Sequence, residues 1–508
     1  MEFMQVLSSF ADVSVWVSLI LGVIVGIIGG ALPGISPSMT IALMLPVTLY
    51  LPGVDAIASL MGAYQGAMYG GSISAILINT PGTASAAATA IDGYELAKKG
   101  KAKKALLMSL YSSVAGGVIG IIILLFSAQF LAKIALKFGP PEYFGLMMLS
   151  MALIAGISGK SLMKGLISAG LGLFFATIGL DPIYGSTRFT FGNINLFDGV
   201  NTLSVFIGIF ALSEIMMQLS LGRTELNKKP ETLLMDKDTL TIKEFFAEKM
   251  NILYASIIGA FIGILPGIGG STASFVAYAF EQKRSKHPEE FGKGSLAGIA
   301  APEAANNAVC GGALVPMLTL GVPGDVVTAI LVGALIAHGI KPGPLLFVEN
   351  IASVYSIYIA LFFSLIVLSA VGHLGINASA TIVKLRKSIL LPLVFVICIV
   401  GTYSSGGSYF DVYAMLFFGV VGFLLRKYGY PLSPLIIAFV VGGMLESNLR
   451  RSLLLDDSGA MIFFTRPLSA FLLVASVVFM AFMVHSNQKE KKAAEAKKEE
   501  VADEDDLA

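Results

Sequence analysis

Charge is what this sequence has least of. Of its 508 residues only 13% are Asp, Glu, Lys or Arg, where an ordinary soluble domain carries about 25%. Meanwhile 56% are hydrophobic. So little charge cannot clothe a chain of this size against water, which excludes a soluble globular protein. The net charge is +1, so nothing is laid out to neutralise a nucleic-acid backbone. Cysteine is nearly absent: Cys310 and Cys398 both lie in apolar runs, and they offer neither a disulfide framework nor a Cys-x-x-Cys pair. The four histidines, His287, His338, His373 and His485, have no metal-ligand spacing. There is no His-Glu-x-x-His or Gly-x-Ser-x-Gly segment for a hydrolase. GISGKS at 156–161 lacks the spacing of a phosphate loop. An enzyme is not expected.

What is abundant is long apolar sequence. Runs near 14–31, 115–132, 351–371, 389–400 and 468–484 approach the ~20 residues that a helix needs to cross a bilayer. They are continuous rather than alternating, which excludes a membrane β-barrel. The expected fold is an all-α polytopic membrane protein with roughly ten to twelve hydrophobic segments. The opening segment has no basic stretch and no cleavage site, and is expected to be a retained first span. Residues 1–220 form a first membrane repeat and 251–486 a second. A charged linker, 221–250, separates them, and its second half suits an amphipathic surface helix. The tail 487–508 alternates Lys and Glu before turning acidic, the composition of a solvated, partly disordered end.

One short pattern occurs twice. Leu-Pro-Gly-Ile stands at 32–35 and again at 265–268, each time at the end of an apolar run and before small hydroxyl residues. A second block follows each copy, GGSISAILINTPGTASAAATA at 70–90 and GGALVPMLTLGVPGDVVTAIL at 311–331. Lysine and arginine mark cytoplasmic loops. In the first copy the connector between the two blocks, 50–54, has no basic residue, while the loop after them holds Lys98, Lys99, Lys101, Lys103 and Lys104. In the second copy the connector carries Lys283, Arg284, Lys286 and Lys293, and the loop after the blocks only Lys341. Equivalent loops fall on opposite sides, the signature of an inverted repeat. Lys160 and Lys164 fit the cytoplasmic side.

Four Pro-Gly pairs interrupt these runs, Pro33-Gly34, Pro81-Gly82, Pro266-Gly267 and Pro323-Gly324. Proline removes a helical hydrogen bond and glycine takes backbone angles that other residues avoid. Together they break or re-enter a helix, and exposed backbone at membrane depth is tolerated only where it lines a cavity. Half-helix N-termini offer N–H groups to a carboxylate, and unwound carbonyls offer oxygen to a small cation. Candidate ligands flank the breaks: Ser36, Ser38 and Thr40 at the first, and Asn79, Thr80 and Thr83 at the second. Gly269, Ser271, Thr272 and Ser274 flank the third, while Asn306, Asn307, Asp325 and Thr328 belong to the fourth. For each hydroxyl the competing role is a bond back to its own helix or across to a neighbouring one. Few ionisable residues lie in apolar surroundings: Glu214, Glu303, Asp325, Asp411 and Glu446. Asp325 is the best cation or proton ligand, with capping of the next half-helix as its rival role. Glu303 suits either a ligand or a packing hydrogen bond, and Glu446 suits an ion pair with Arg450 and Arg451.

These segments resemble the large membrane subunit of the tripartite tricarboxylate transporters. The resemblance rests on LPGISPSMTIALMLPVTL (32–49), on the stretch 69–106, and above all on 266–344 with its PEAANN and GVPGD segments. It covers most of residues 10–480. It implies a permease that works with a small four-span membrane subunit and an extracytoplasmic solute-binding protein. Its cargo would be small tri- or dicarboxylates, imported by symport with sodium or protons across a bacterial inner membrane, with the charged tail in the cytoplasm. The family's motif positions fall on Pro33–Ser38, Asn79–Thr83, Pro266–Thr272, Glu303–Asn307 and Pro323–Asp325. No cofactor is implied beyond a coupling sodium ion. None of these motifs contains Arg or Lys, so a carboxylate would be held by N–H groups, hydroxyls, amides and a bound cation. A passive anion channel and a non-transporting scaffold are the alternatives. A channel would need a continuous polar lining, whereas the polar groups here gather at the breaks.

Overall fold

Four helix breaks organise the molecule. The computed structural model describes residues 2–157, 161–222, 238–385, 387–455 and 459–506, with side chains as far as Asn487. Short turns aside, the helices in chain order are α1 (Glu2–Ser9), α2 (Val13–Ala31), α3 (Pro37–Thr48), α4 (Gly53–Ile78), α5 (Ala86–Leu96), α6 (Ala102–Ala135), α7 (Pro140–Ile157) and α8 (Leu162–Ala176). Then follow α9 (Thr202–Ser220), α10 (Ile242–Ala247), α11 (Lys249–Ile264), α12 (Gly269–Arg284), α13 (Leu296–Leu320), α14 (Val326–Ala337) and α15 (Ile351–Leu374). The last are α16 (Lys387–Gly406), α17 (Tyr409–Lys427), α18 (Leu432–Leu454) and α19 (Pro467–Asp506). Among the described residues the only paired strands are the two-residue segments Gly179–Leu180 and Thr187–Arg188. Eight described helices are long and apolar enough to cross a membrane, and four shorter apolar helices accompany them. The chain is an all-α multi-pass membrane protein.

The chain divides into two compact units, each built from two stretches of sequence. Residues 138–199 and 428–508 form the smaller. In it α7 packs on α8, α18 and α19, and Arg466 pairs with Glu142 at 3.2 Å. The other unit, 1–137 with 200–427, holds all four breaks. Of the expected linker, 223–237 lies outside the described residues; its end forms α10, capped by Thr241 and Glu244 in a reciprocal box. The tail departs from expectation. The backbone of α19 runs helical through Asp506, because Ala, Lys and Glu are strong helix formers. Residues 158–160, which include Lys160 and make up half of GISGKS, also lie outside the described residues.

α4 runs unbroken through Gly70-Gly71 and α13 through Gly311-Gly312, and each helix stops only at its Pro-Gly pair. The glycines let helices touch. A side chain on Gly26 would begin 2.5 Å from the Ala63 carbonyl oxygen, on Gly30 2.3 Å from that of Ala67, and on Gly70 2.4 Å from that of Ile27. These pairs advance together, so α2 and α4 run the same way in backbone contact. The counterpart contacts recur between α11 and α13: Gly259 against Ala305, Gly263 against Val309, Gly312 against Ala260. Such small-residue seams drive helix association where lipid removes the hydrophobic force.

Directions reverse between the two sets. Along α4 and α13, Tyr64 meets Cys310, Met68 meets Asn306 and Ser72 meets Glu303, which is an antiparallel crossing. Likewise α6 and α15 are antiparallel, with Gly117 on Leu365 and Gly372 on Leu110. The exchange is reciprocal: α3 packs on α14 while α5 packs on α12, and α15 lies on α2 and α4 as α6 lies on α11 and α13.

Candidate functional site

Each break is a tight reversal that a Pro-Gly pair makes possible. After α2 the chain turns at Gly34 (φ +99°), and after α11 at Gly267 (φ +87°), angles that residues with a side chain rarely adopt. The other two breaks fold back against the first two. A side chain on Gly82 would begin 1.9 Å from the Gly30 carbonyl oxygen, and one on Gly324 2.8 Å from that of Gly263. The Gly267 N–H donates to the Gly324 carbonyl at 2.7 Å, tying the third and fourth breaks together. Thus the breaks come in two pairs.

The four half-helices that follow begin differently. Ser36 caps α3, its Oγ accepting from the Met39 N–H at 3.2 Å. Thr83 Oγ1 accepts from the Ala86 N–H at the start of α5. Asp325 caps α14 in a reciprocal box, with Oδ1 accepting from the Thr328 N–H and Oγ1 at 2.7 Å each, while Thr328 Oγ1 accepts from the Asp325 N–H. The N-terminus of α12 alone has no side-chain cap: it starts at Ile268 and runs through Gly269, Gly270, Ser271 and Thr272. Those four residues are half-buried, and the hydroxyls of Ser271 and Thr272 have no partner among the described residues. Its first N–H groups are left to an external acceptor.

What surrounds that N-terminus comes from four other segments. A side chain on Gly270 would begin 2.7 Å from Asn306 Oδ1, 3.0 Å from the Met68 methyl and 3.8 Å from Ser85, and one on Gly269 would begin 3.7 Å from Asp325. Asn306 is 1% exposed; its Nδ2 donates to the Met68 carbonyl at 3.1 Å, and its Oδ1 has no partner among the described residues. Asp325 accepts at Oδ2 from the Tyr64 hydroxyl at 3.2 Å. One turn away, Glu303 is fully buried, accepting from Thr89 Oγ1 at 2.5 Å and Ser113 Oγ at 2.8 Å. Gln65, Tyr69 and Asn307 carry buried polar atoms without a partner among the described residues along the same α4–α13 crossing. Buried polar atoms are rarely left so.

The sequence-derived candidates divide accordingly. Gly269, Ser271, Thr272, Asn306 and Asp325 are brought together, with Pro266, Gly267, Pro323 and Gly324 shaping the turns beneath them. Thr40 bonds back to the Ser36 carbonyl and Ser38 to the Ser36 hydroxyl, the local roles open to such hydroxyls, while Ser274 donates across to the Pro302 carbonyl of α13. Asn79 ends α4 in the left-handed conformation (φ +52°) and is exposed, as is Thr80. Asp325 fills its capping role. Glu446 pairs with Arg450 as expected, but its second partner is Arg188 rather than Arg451. Asp411 accepts from Asn201. Glu214 pairs with Arg426 and accepts from Gln218, whose amide lies against Gly34 and accepts in turn from Lys387. Cations absent from the motifs therefore stand behind the first break.

Sequence reasoning missed Tyr64, Gln65, Met68 and Ser85. Gln65 carried a signal, an uncharged amide inside the otherwise apolar run GAYQGAM. It also missed Asp92, which accepts from the N–H groups of Gly294 and Ser295 and from the Tyr278 hydroxyl, all at 2.8 Å, joining α5 to the start of α13.

Comparison with known proteins follows the same ground. The family model described as the tripartite tricarboxylate transporter TctA family matches residues 17–437. An uncharacterised 52.8 kDa protein of Agrobacterium vitis, in the TAR-I ttuC' 3' region, is 38% identical over 438 residues, 86% of this chain and 87% of its own length. An uncharacterised protein in the TAR-II ttuC' 3' region of the same organism is 36% identical over 220 residues, 43% of this chain and 91% of its own. No solved structure matches.

Proposed function

The chain belongs to the tripartite tricarboxylate transporter TctA family and is the large permease subunit of such a system, and on that premise we propose that it imports small carboxylates by cation symport through the uncapped N-terminus of α12. That half-helix is the observation that carries the proposal. Three of the four break-flanking N-termini bind their own side chains; the fourth, half-buried and beside Asn306, offers N–H groups and a positive dipole end to a ligand carboxylate. Asn306 Oδ1, an acceptor, suits a small cation bound alongside. Glu303 in its hydroxyl cage is the candidate proton or sodium carrier, one helical turn from Asn306. The two helix sets, equivalent in contacts and opposed in direction, support an inverted repeat whose halves alternate access around this site. Family membership implies a small membrane subunit and an extracytoplasmic binding protein; that the binding protein does most of the selecting among carboxylates, that the chain sits in a bacterial inner membrane, and that α19 ends in the cytoplasm, belong to the same proposal.

Uptake into proteoliposomes tests it, with the full complex, labelled tri- and dicarboxylates, and imposed sodium or proton gradients. Expected are gradient-dependent accumulation and its loss in a Ser271→Ala/Thr272→Ala variant that keeps the wild-type melting temperature. Uptake that merely equilibrates, whatever gradient is imposed, would make the protein a passive channel and sink the proposal.

A further inference from the structure

Away from the breaks, a cavity of about 420 Å³ opens between α6, α10 and α15, beside the basic loop at 98–104. Its walls are apolar, with Leu107 of α6 beneath and Leu240, Ile242 and Phe245 around. The Tyr111 ring meets Phe245 edge-on and its hydroxyl shares a 2.8 Å hydrogen bond with His373 Nδ1, which fixes that wall. One cation enters the lining, Lys103, half-buried and without an anionic partner among the described residues. Its neighbour Lys104 is already committed, at 3.1 Å from Asp238 and 2.9 Å from Glu244. The hydrogen bond from Lys104, ahead of those from Thr241, holds the Glu244 carboxyl down at about 2, so that pair stays formed at neutral pH. Two of the α10 residues that line the cavity, Ile242 (78%) and Phe246 (59%), are also widely exposed, as on a helix lying in a membrane interface.

We propose that this cavity binds one anionic phospholipid, its phosphate on Lys103 and an acyl chain along Leu107 and Phe245. Charge complementarity and the two-part lining select that occupant. Inorganic phosphate would satisfy the lysine and leave the apolar wall wet; a zwitterionic lipid would cover the wall and leave the lysine without a net counter-charge. Basic pockets between membrane helices hold acidic headgroups in this way. The lipid would brace the end of the linker against α6 and α15, independently of what the permease carries.

Native mass spectrometry of the detergent-solubilised full chain decides the matter, with phosphatidylglycerol and phosphatidylcholine of matched acyl chains offered in equal amounts. The wild type should retain phosphatidylglycerol about fivefold better, the worth of one lysine contact. Lys103→Ala should abolish the preference, Lys103→Arg keep it, and Ile242→Asp weaken both lipids, while Lys101→Ala outside the cavity changes nothing. Melting temperatures show which variants are folded; if Lys103→Ala is not, Lys103→Gln replaces it. Equal retention of the two lipids, or a preference that survives loss of the Lys103 charge, overturns the proposal. Displacement of the lipid by millimolar inorganic phosphate overturns it too, by making the site one for the free anion.

Discussion

At the scale of single residues, Asp325 shows how a charge at membrane depth is made tolerable. Oδ1 closes the first turn of α14 through Thr328, and Oδ2 accepts from Tyr64. An asparagine caps as well as an aspartate, and its amide NH2, standing where Oδ2 stood, can donate to the Tyr64 hydroxyl oxygen, so Asp325→Asn should melt close to the wild type. Asp325→Ala should not: it forfeits about 1 kcal/mol of capping and strands the Tyr64 hydroxyl at a further ~1–3 kcal/mol. Thermal unfolding in detergent separates the two; equal destabilisation by both substitutions would show that the charge, not the hydrogen-bond geometry, holds α14. With stability kept, Asp325→Asn is the clean variant for asking whether uptake needs that charge. Glu303 differs, because its partners Thr89 and Ser113 sit on two other helices, so it joins α13 to α5 and α6 rather than ending a helix.

At the scale of elements, the α2–α4 seam fixes the depth at which the breaks lie. Since Gly26, Gly30, Gly66 and Gly70 allow backbone contact, Gly82 can fold back to within touching distance of Gly30. A side chain on Gly66 would begin 2.5 Å from the Val23 carbonyl oxygen, and backbone there cannot step aside. Gly66→Val is expected to cost about 3 kcal/mol or more through overpacking. Gly53, with nothing within 4 Å, should accept alanine within ~0.5 kcal/mol, as an open surface position does. Melting curves of the two variants are the check, and a Gly66→Val protein as stable as wild type would mean that α2 and α4 are not in backbone contact. The breaks themselves were legible in the sequence because four Pro-Gly pairs recur in matched blocks; one pair alone in an apolar run reads as readily as a kink or a close helix contact. The continuity of α4 and α13 through their Gly-Gly pairs was not: a glycine pair reads alike as a break or as a contact, and only the presence of a neighbouring helix decides.

At the scale of the whole molecule, the running directions make a topological prediction within the larger unit. The α3–α4 connector and the α12–α13 connector occupy equivalent places in oppositely directed sets. A cysteine placed at Gly53 should react with a membrane-impermeant maleimide from one side only, and cysteines at Ser285 and Lys99 only from the other. Native Cys310 and Cys398 are buried and give little background. Labelling of Gly53→Cys and Ser285→Cys from the same face would remove the inverted arrangement and, with it, the alternating-access proposal.

The sequence by itself determined the solvent and the punctuation. Scarce charge and long apolar runs require a bilayer, and paired Pro-Gly segments require broken helices, since both follow from local chemistry that no neighbour can undo. Loop charges also set the expected inversion, because they act on insertion before any packing exists. Tertiary structure decided which polar groups are left over. Ser36, Thr83 and Asp325 looked like ligands as much as Ser271 and Thr272 did, and became caps because each found an N–H on its own half-helix. Only packing brought Asn306, Met68 and Ser85 around the α12 N-terminus, from segments far apart in the chain. Which helix start stays uncapped depends on what reaches it, and that is a property of the fold.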